Sequence, residues 1–290
     1  MRIATTDGRL NVWTADGWVD VEQRSARRFS SAPQDVYPRW AEFRAWADGL
    51  ELGAAEPLDD VGAERAGWGA PCPSPRQVFA IGLNYRDHAA EAGLAVPDSP
   101  PTFTKFPSCI TGPVTNLTLP SSNVDWEVEL VAVIGLRADR VPVERGWDYV
   151  AGLTVGQDFS ERVVQVAGPA PQFSLGKSFP GFGPIGPCLV TLDEFANPDD
   201  LELECVLNGE SVQKARTSSM IFSVPELIAR ISAICPLLPG DVIFTGTPAG
   251  VGMAKDPQCF LAPGDEVISR VEGIGVLHQT CVADTTFASV

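Results

Sequence analysis

Short apolar runs separated by glycine- and proline-bearing turns dominate this chain, a pattern that predicts many strands and few helices. Residues 1–24 alternate around Thr6-Asp7-Gly8 and Ala15-Asp16-Gly17, which predicts a small β-hairpin unit. Trp40, Phe43 and Trp46 then recur three apart, as on one face of a helix. From Gly49 to Pro75 the pattern weakens into a Pro/Gly/Ala-rich connector. The boundary is expected there, with a small β/helix domain and connector over 1–74 and the main domain over 75–286. Beyond Pro75 a strand over Val78 to Leu83 runs into a helix over Tyr85 to Ala92. Strands are expected over Glu127 to Ile134 and Ala151 to Asp158, with helical character between them over Val143 to Val150. Asn208-Gly209 between Leu201 to Leu207 and Ser211 to Ala215 signals a hairpin. Val224, Leu227, Ile228 and Ile231 have helical spacing, and strands over Asp241 to Thr245 and within Glu266 to Val282 close the chain. The reading is α+β, dominated by β structure, without an internal repeat.

Composition narrows the function classes. With 290 residues, 44% hydrophobic and 20% charged, the chain has the make-up of a globular protein. Its net charge of −16 argues against nucleic acid or an anionic membrane as partner, so an anionic substrate needs a local cationic site. No apolar run is long enough to span a bilayer, and the first residues lack the apolar stretch of a secretory signal, so a cytoplasmic protein is expected. Seven widely spaced cysteines without a C-x-x-C pair read as reduced thiols rather than a disulfide framework or zinc knuckle.

Two phosphate-loop look-alikes fail on their own residues. Gly176-Lys177-Ser178 lacks the earlier glycine of a nucleotide loop, where Pro171 stands, and Gly250-Val251-Gly252 has Lys255 at the third glycine position of a dinucleotide fingerprint. The informative segment is Asp125 to Gly135, an apolar strand with Glu127 and Glu129 two residues apart. Alternation puts both carboxylates on one face, with Cα atoms about 7 Å apart. On a solvent face this is ordinary polarity; on a buried face a positive group must lie between them, and a divalent cation is a candidate. Asp158, at the end of a neighbouring strand, adds a third acid, and an all-carboxylate set favours Mg²⁺ or Mn²⁺ over zinc or copper.

His88 and Glu91 lie three apart on the predicted helix. They are either a surface ion pair or a base dyad in which Glu91 orients the imidazole. Arg86, Arg162 and Lys177, each near a Gly/Ser/Pro-rich turn, are candidate anion holders.

The stretches IGLNYRDHAAEAG (81–93), FTKFPSCITGP (103–113), DWEVELVAVIG (125–135), GLTVGQDFSERVVQ (152–165), LGKSF (175–179), VLNGESVQKARTSSMIF (206–222), LLPGDVIFTGTPAGVG (237–252) and VEGIGVLHQT (271–280) together resemble the fumarylacetoacetate hydrolase (FAH) family. The resemblance implies a mixed β-roll catalytic domain behind a small N-terminal domain, assembled as a homodimer. It implies Glu127, Glu129 and Asp158 as ligands of one Mg²⁺ or Mn²⁺, His88 and Glu91 as a water-activating dyad, and Lys177 as the holder of substrate and oxyanion. Arg162, Gln165 and Thr247 fall at positions that line the substrate site in similar proteins.

The implied reaction is hydrolysis of a carbon–carbon bond in an acylpyruvate-type 1,3-diketo acid, releasing a carboxylic acid and a 2-oxo acid. Similar proteins also decarboxylate oxaloacetate-type acids or act as isomerases or tautomerases, interconverting keto and enol forms of unsaturated 2-oxo dioates, and a non-catalytic binding protein on the same scaffold is a further alternative. The dyad favours hydrolysis, because the other reactions need no attacking water. Ser160-Glu161-Arg162-Val163, Phe179-Pro180-Gly181 and the proline-rich run Ala167 to Phe173 depart from the family pattern, all at the substrate end.

Overall fold

The computed structural model describes residues 1–53 and 67–284. Among them, eleven strands form one large sheet whose main path runs Gly17–Asp20, Arg9–Thr14, Arg2–Thr6, Gly183–Val190, Val150–Gln157, Val128–Ile134, Val242–Phe244, Val78–Ile81 and Thr102–Thr104. A five-stranded sheet runs Glu210–Arg216, Glu202–Leu207, Glu266–Val271, Gly275–Ala283 and Val114–Leu119. Most pairs are antiparallel, but Val242–Phe244 lies parallel to Val78–Ile81 and Gly275–Ala283 parallel to Val114–Leu119. This is the β-rich α+β fold expected from the sequence.

Val128–Ile134 is buried along its whole length because both faces of the large sheet are covered. Leu130, Ala132 and Ile134 pack with Leu203, Val267 and Leu277 of the second sheet. Val131 and Val133 join Ile3, Leu10, Val12 and Phe43 on the other side. Glu129 shares the parity of Val131 and Val133 and is buried with them. The helix Val224–Ser232 begins with a reciprocal cap in which Ser223 N donates to Glu226 Oε2 at 2.8 Å.

Two findings were not visible in the pattern. Gly183–Val190 is a fully buried strand despite two glycines and two prolines, residues that ordinarily demote a run. It pairs with Arg2–Thr6 on one side and Val150–Gln157 on the other, so backbone hydrogen bonds cross the proposed division between 1–74 and 75–286. The helical character expected over Val143 to Val150 takes the form of a 3₁₀ helix over Val143–Tyr149. Within the expected connector, residues 54–66 lie outside the described residues, as do residues 285 and 286 of the main domain. Among the described residues no helix is long and apolar enough to cross a membrane.

Candidate active site

The centre of the large sheet converges on three carboxylates. Glu127 immediately precedes Val128–Ile134, Glu129 is its second residue, and Asp158 directly follows the antiparallel Val150–Gln157, where Val128 pairs with Gln157. One oxygen from each of Glu127, Glu129 and Asp158 lies within 4.8 Å of the others, and all three side chains are buried. The chain end of Glu127 is held by Gln157 Oε1, which accepts from its backbone N at 2.7 Å.

Charge is balanced locally. Lys177 Nζ lies 2.6 Å from Glu127 Oε2 and 2.8 Å from Asp158 Oδ2. Lys105 Nζ lies 2.6 Å from Asp158 Oδ1 and also donates to the carbonyl of Lys177. Arg162 Nη1 is 2.7 Å from Glu127 Oε1. Burial alone would raise the Glu127 carboxyl, but Lys177 and Arg162 overcome it and hold it at about 2. Glu129 has the opposite fate: burial, then the charges of Asp158 and Glu127, push its carboxyl well above the usual range. Its partner is the backbone N of Gly246, 2.8 Å from Oε2. Gly246 has φ +100, and a Cβ there would stand 2.6 Å from Asn84 Cβ, so this donor requires glycine.

The donor set fits a hard divalent cation: three carboxylates at one point, with a lysine ammonium already supplying positive charge between two of them. The buried Tyr85 hydroxyl, without a hydrogen-bond partner among the described residues, is near enough to feel the charge of Glu129.

A cavity of about 450 Å³ opens beside this cluster, lined by His88, Glu91, Glu127, Arg162, Gln165, Lys177 and Thr247 among others. Its outer wall is apolar, with Leu83, Leu94, Phe103, Phe173, Val251 and Met253. His88 Nδ1 lies 3.2 Å from Glu91 Oε2, and Glu91 Oε1 accepts from Gly250 N at 2.9 Å, so the pair is tied to the loop that carries Val251 and Met253. Thr247 Oγ1 donates to Val128 O at 2.9 Å and accepts from Gln213 Nε2 at 2.8 Å. Arg86 is placed elsewhere: it is two residues from His88, on another face of the helix Arg86–Glu91, and lines a separate hollow with Asp87 and Lys214. A hollow of about 470 Å³ between Trp147, Pro198 and Pro225 holds none of the expected site residues.

Sequence reasoning missed Lys105, Asp125 and Gln213. Lys105 and Asp125 carried a signal, a charge set among apolar neighbours in FTKF and VDW; Gln213 carried none, because it arrives from the second sheet.

Residues 77–282 match the family model described as fumarylacetoacetate (FAA) hydrolase C-terminal, and the chain belongs to this family. Among curated relatives, the mitochondrial oxaloacetate tautomerase FAHD2A of Bos taurus is 45% identical over 215 residues, covering 73% of this chain and 68% of the relative. A Mycobacterium smegmatis crystal structure, provisionally assigned as HpcE, is 54% identical with a TM-score of 0.91, covering 98% of this chain and 99% of its own. Maleylpyruvate hydrolase from Sphingobium sp. SYK-6, solved with manganese(II) and pyruvate, is 25% identical with a TM-score of 0.77, covering 98% and 100%.

These relatives correct two expectations. The cytoplasmic placement does not stand against relatives that are mitochondrial proteins. Lack of an apolar stretch speaks only to secretory signals, since organellar leaders are amphipathic and basic. Carbon–carbon hydrolysis also gives way, because this relative is a tautomerase. The expected dyad does not separate the two chemistries, because a general base serves removal of a proton from carbon as well as from water.

Proposed function

We propose that this protein interconverts the keto and enol forms of a short 2-oxo dicarboxylic acid of the oxaloacetate type, with Mg²⁺ or Mn²⁺ held by Glu127, Glu129 and Asp158. The observation that carries the reading is the buried three-carboxylate cluster beside a cavity that His88 and Glu127 line, in a chain 45% identical over 215 residues to an oxaloacetate tautomerase. When bound, a divalent cation there supplies Lewis-acid polarisation of the 2-oxo carbonyl.

The chain's own groups then move one proton. With the Nδ1 proton directed to Glu91, the lone pair of His88 Nε2 is the base. It takes a proton from C3 of the keto acid and returns it to the C2 oxygen, leaving the imidazole neutral again. Lys177, which lines the cavity beside Glu127, places positive charge beside the oxygen on which negative charge develops. Gln165 orients the substrate through its amide nitrogen, Thr247 shapes the wall with its hydroxyl proton committed to Val128 O, and the apolar wall excludes water.

The test is the conversion of enol-oxaloacetate, followed by its ultraviolet absorbance, with Mg²⁺ or Mn²⁺ present. A rate proportional to protein and lost in Glu129→Gln supports the reading. Release of carbon dioxide and pyruvate, or cleavage of 2,4-dioxo acids without tautomerisation, refutes it.

A further inference from the structure

Asp125 is wholly buried, yet it is neither one of the three clustered carboxylates nor part of the cavity lining. Its oxygens accept five hydrogen bonds. Oδ1 takes the backbone N of Trp126 at 2.8 Å and of Gly252 at 2.7 Å. Oδ2 takes Met253 N at 2.9 Å, and Arg162 Nε and Nη2 at 2.9 and 2.7 Å. One carboxylate thus joins the loop carrying Val251 and Met253, on the cavity wall, to the arginine beside Glu127.

The donor count of Arg162 shows what this does. A guanidinium has five N–H groups. Two are spent on Asp125, and Nη1 serves both Glu127 Oε1 at 2.7 Å and Gln165 Oε1 at 2.9 Å, leaving one. The two-pronged grip that arginine offers a free carboxylate is therefore already taken by buried protein groups. Asp125 holds the Nε edge of the fork away from Glu127, so Arg162 reaches only Oε1, with a single prong, and Oε2 faces Lys177 Nζ at 2.6 Å and no second arginine nitrogen.

We infer that Asp125 is a positioning residue: by turning Arg162 it keeps one oxygen of Glu127 available for a divalent cation, and it ties that geometry to the Val251–Met253 wall. This rests on the cation reading of the cluster. Without Asp125, the fork can close on both Glu127 oxygens and compete with the cation.

The test is Mn²⁺ affinity, read from the electron paramagnetic resonance of free Mn²⁺, with thermal melting as a separate check on folding. Asp125→Asn is expected to weaken Mn²⁺ binding at least tenfold. Arg162→Met is expected to bind Mn²⁺ at least as tightly as wild type, and adding Asp125→Asn to it to change affinity less than threefold. Asp125→Asn within threefold of wild type, or a loss undiminished in the Arg162→Met background, overturns the inference. Should Asp125→Asn not fold, Arg162→Met alone decides: weaker Mn²⁺ binding than wild type overturns it. Failure of the wild type to take up Mn²⁺ removes the cation reading itself, a different result from uptake that Asp125→Asn leaves unchanged.

Discussion

Replacing Lys177 with methionine separates the two demands made on its partners. The ammonium lies 2.6 Å from Glu127 Oε2 and 2.8 Å from Asp158 Oδ2, with all three groups buried. Removing one partner of such a pair strands the other charge, at a cost of about 3–5 kcal/mol. For a chain of 290 residues that corresponds to a fall in Tm of roughly 5–8 °C in metal-free buffer. A cation held by Glu127, Glu129 and Asp158 would draw on two carboxylates that now pair with the ammonium, so in wild type it would compete with the ammonium and in Lys177→Met it would not. Mn²⁺ at one hundred times its Kd stabilises by about 2.7 kcal/mol. At one fixed Mn²⁺ concentration, Lys177→Met is therefore expected to gain more Tm than wild type while remaining inactive, as measured by calorimetry with and without chelator. A metal-free Tm equal to wild type, or an equal gain with Mn²⁺, would refute the reasoning.

Glu129→Gln is expected to melt at or above the wild-type temperature in metal-free buffer at pH 7 and to lose Mn²⁺ binding in the same titration. The sign follows from its raised carboxyl: the native state keeps a proton that the unfolded chain releases near its ordinary value, so this contribution is full at low pH and disappears as pH rises through the raised value. Mn²⁺ uptake is expected to release about one proton, read as a dependence of calorimetric heat on buffer ionisation enthalpy; heats independent of buffer contradict it. Glu127, held at about 2, contributes stability that is present above its ordinary value and lost as pH falls toward 2. Gly246→Ala is expected to cost about 1–3 kcal/mol in urea melts and to weaken Mn²⁺ binding, since its Cβ meets Asn84 and its N–H holds Glu129. His88→Ala should abolish enol conversion and leave Mn²⁺ affinity unchanged; loss of both would remove the base assignment.

Local pattern carried much of this molecule. The two glutamates and Asp158 could be placed from strand alternation and strand ends, because those rules act within a few residues. The question left open by alternation, solvent or core, was decided by elements distant in sequence: the N-terminal strands and the helix Trp40–Ala47 cover one face, and Glu202–Leu207 and Gly275–Ala283 the other. Lys105 lies 53 residues from Asp158, and Gln213 lies 85 residues from Val128. No local period reports such contacts. Gly183–Val190 was hidden for the opposite reason, since burial in the middle of a sheet overrode the local preference of its glycines and prolines. Arg86 and His88 are neighbours in sequence but diverge on the helix and line different hollows, which proximity along the chain did not reveal.

The most direct measurement is an anomalous difference map from crystals grown with Mn²⁺. The account predicts one strong peak within coordination distance of Glu127, Glu129 and Asp158, at the base of the His88 cavity, with a side left open for a 2-oxo acid. A map with no peak there, and Lys177 still bridging Glu127 and Asp158 at saturating Mn²⁺, would contradict it.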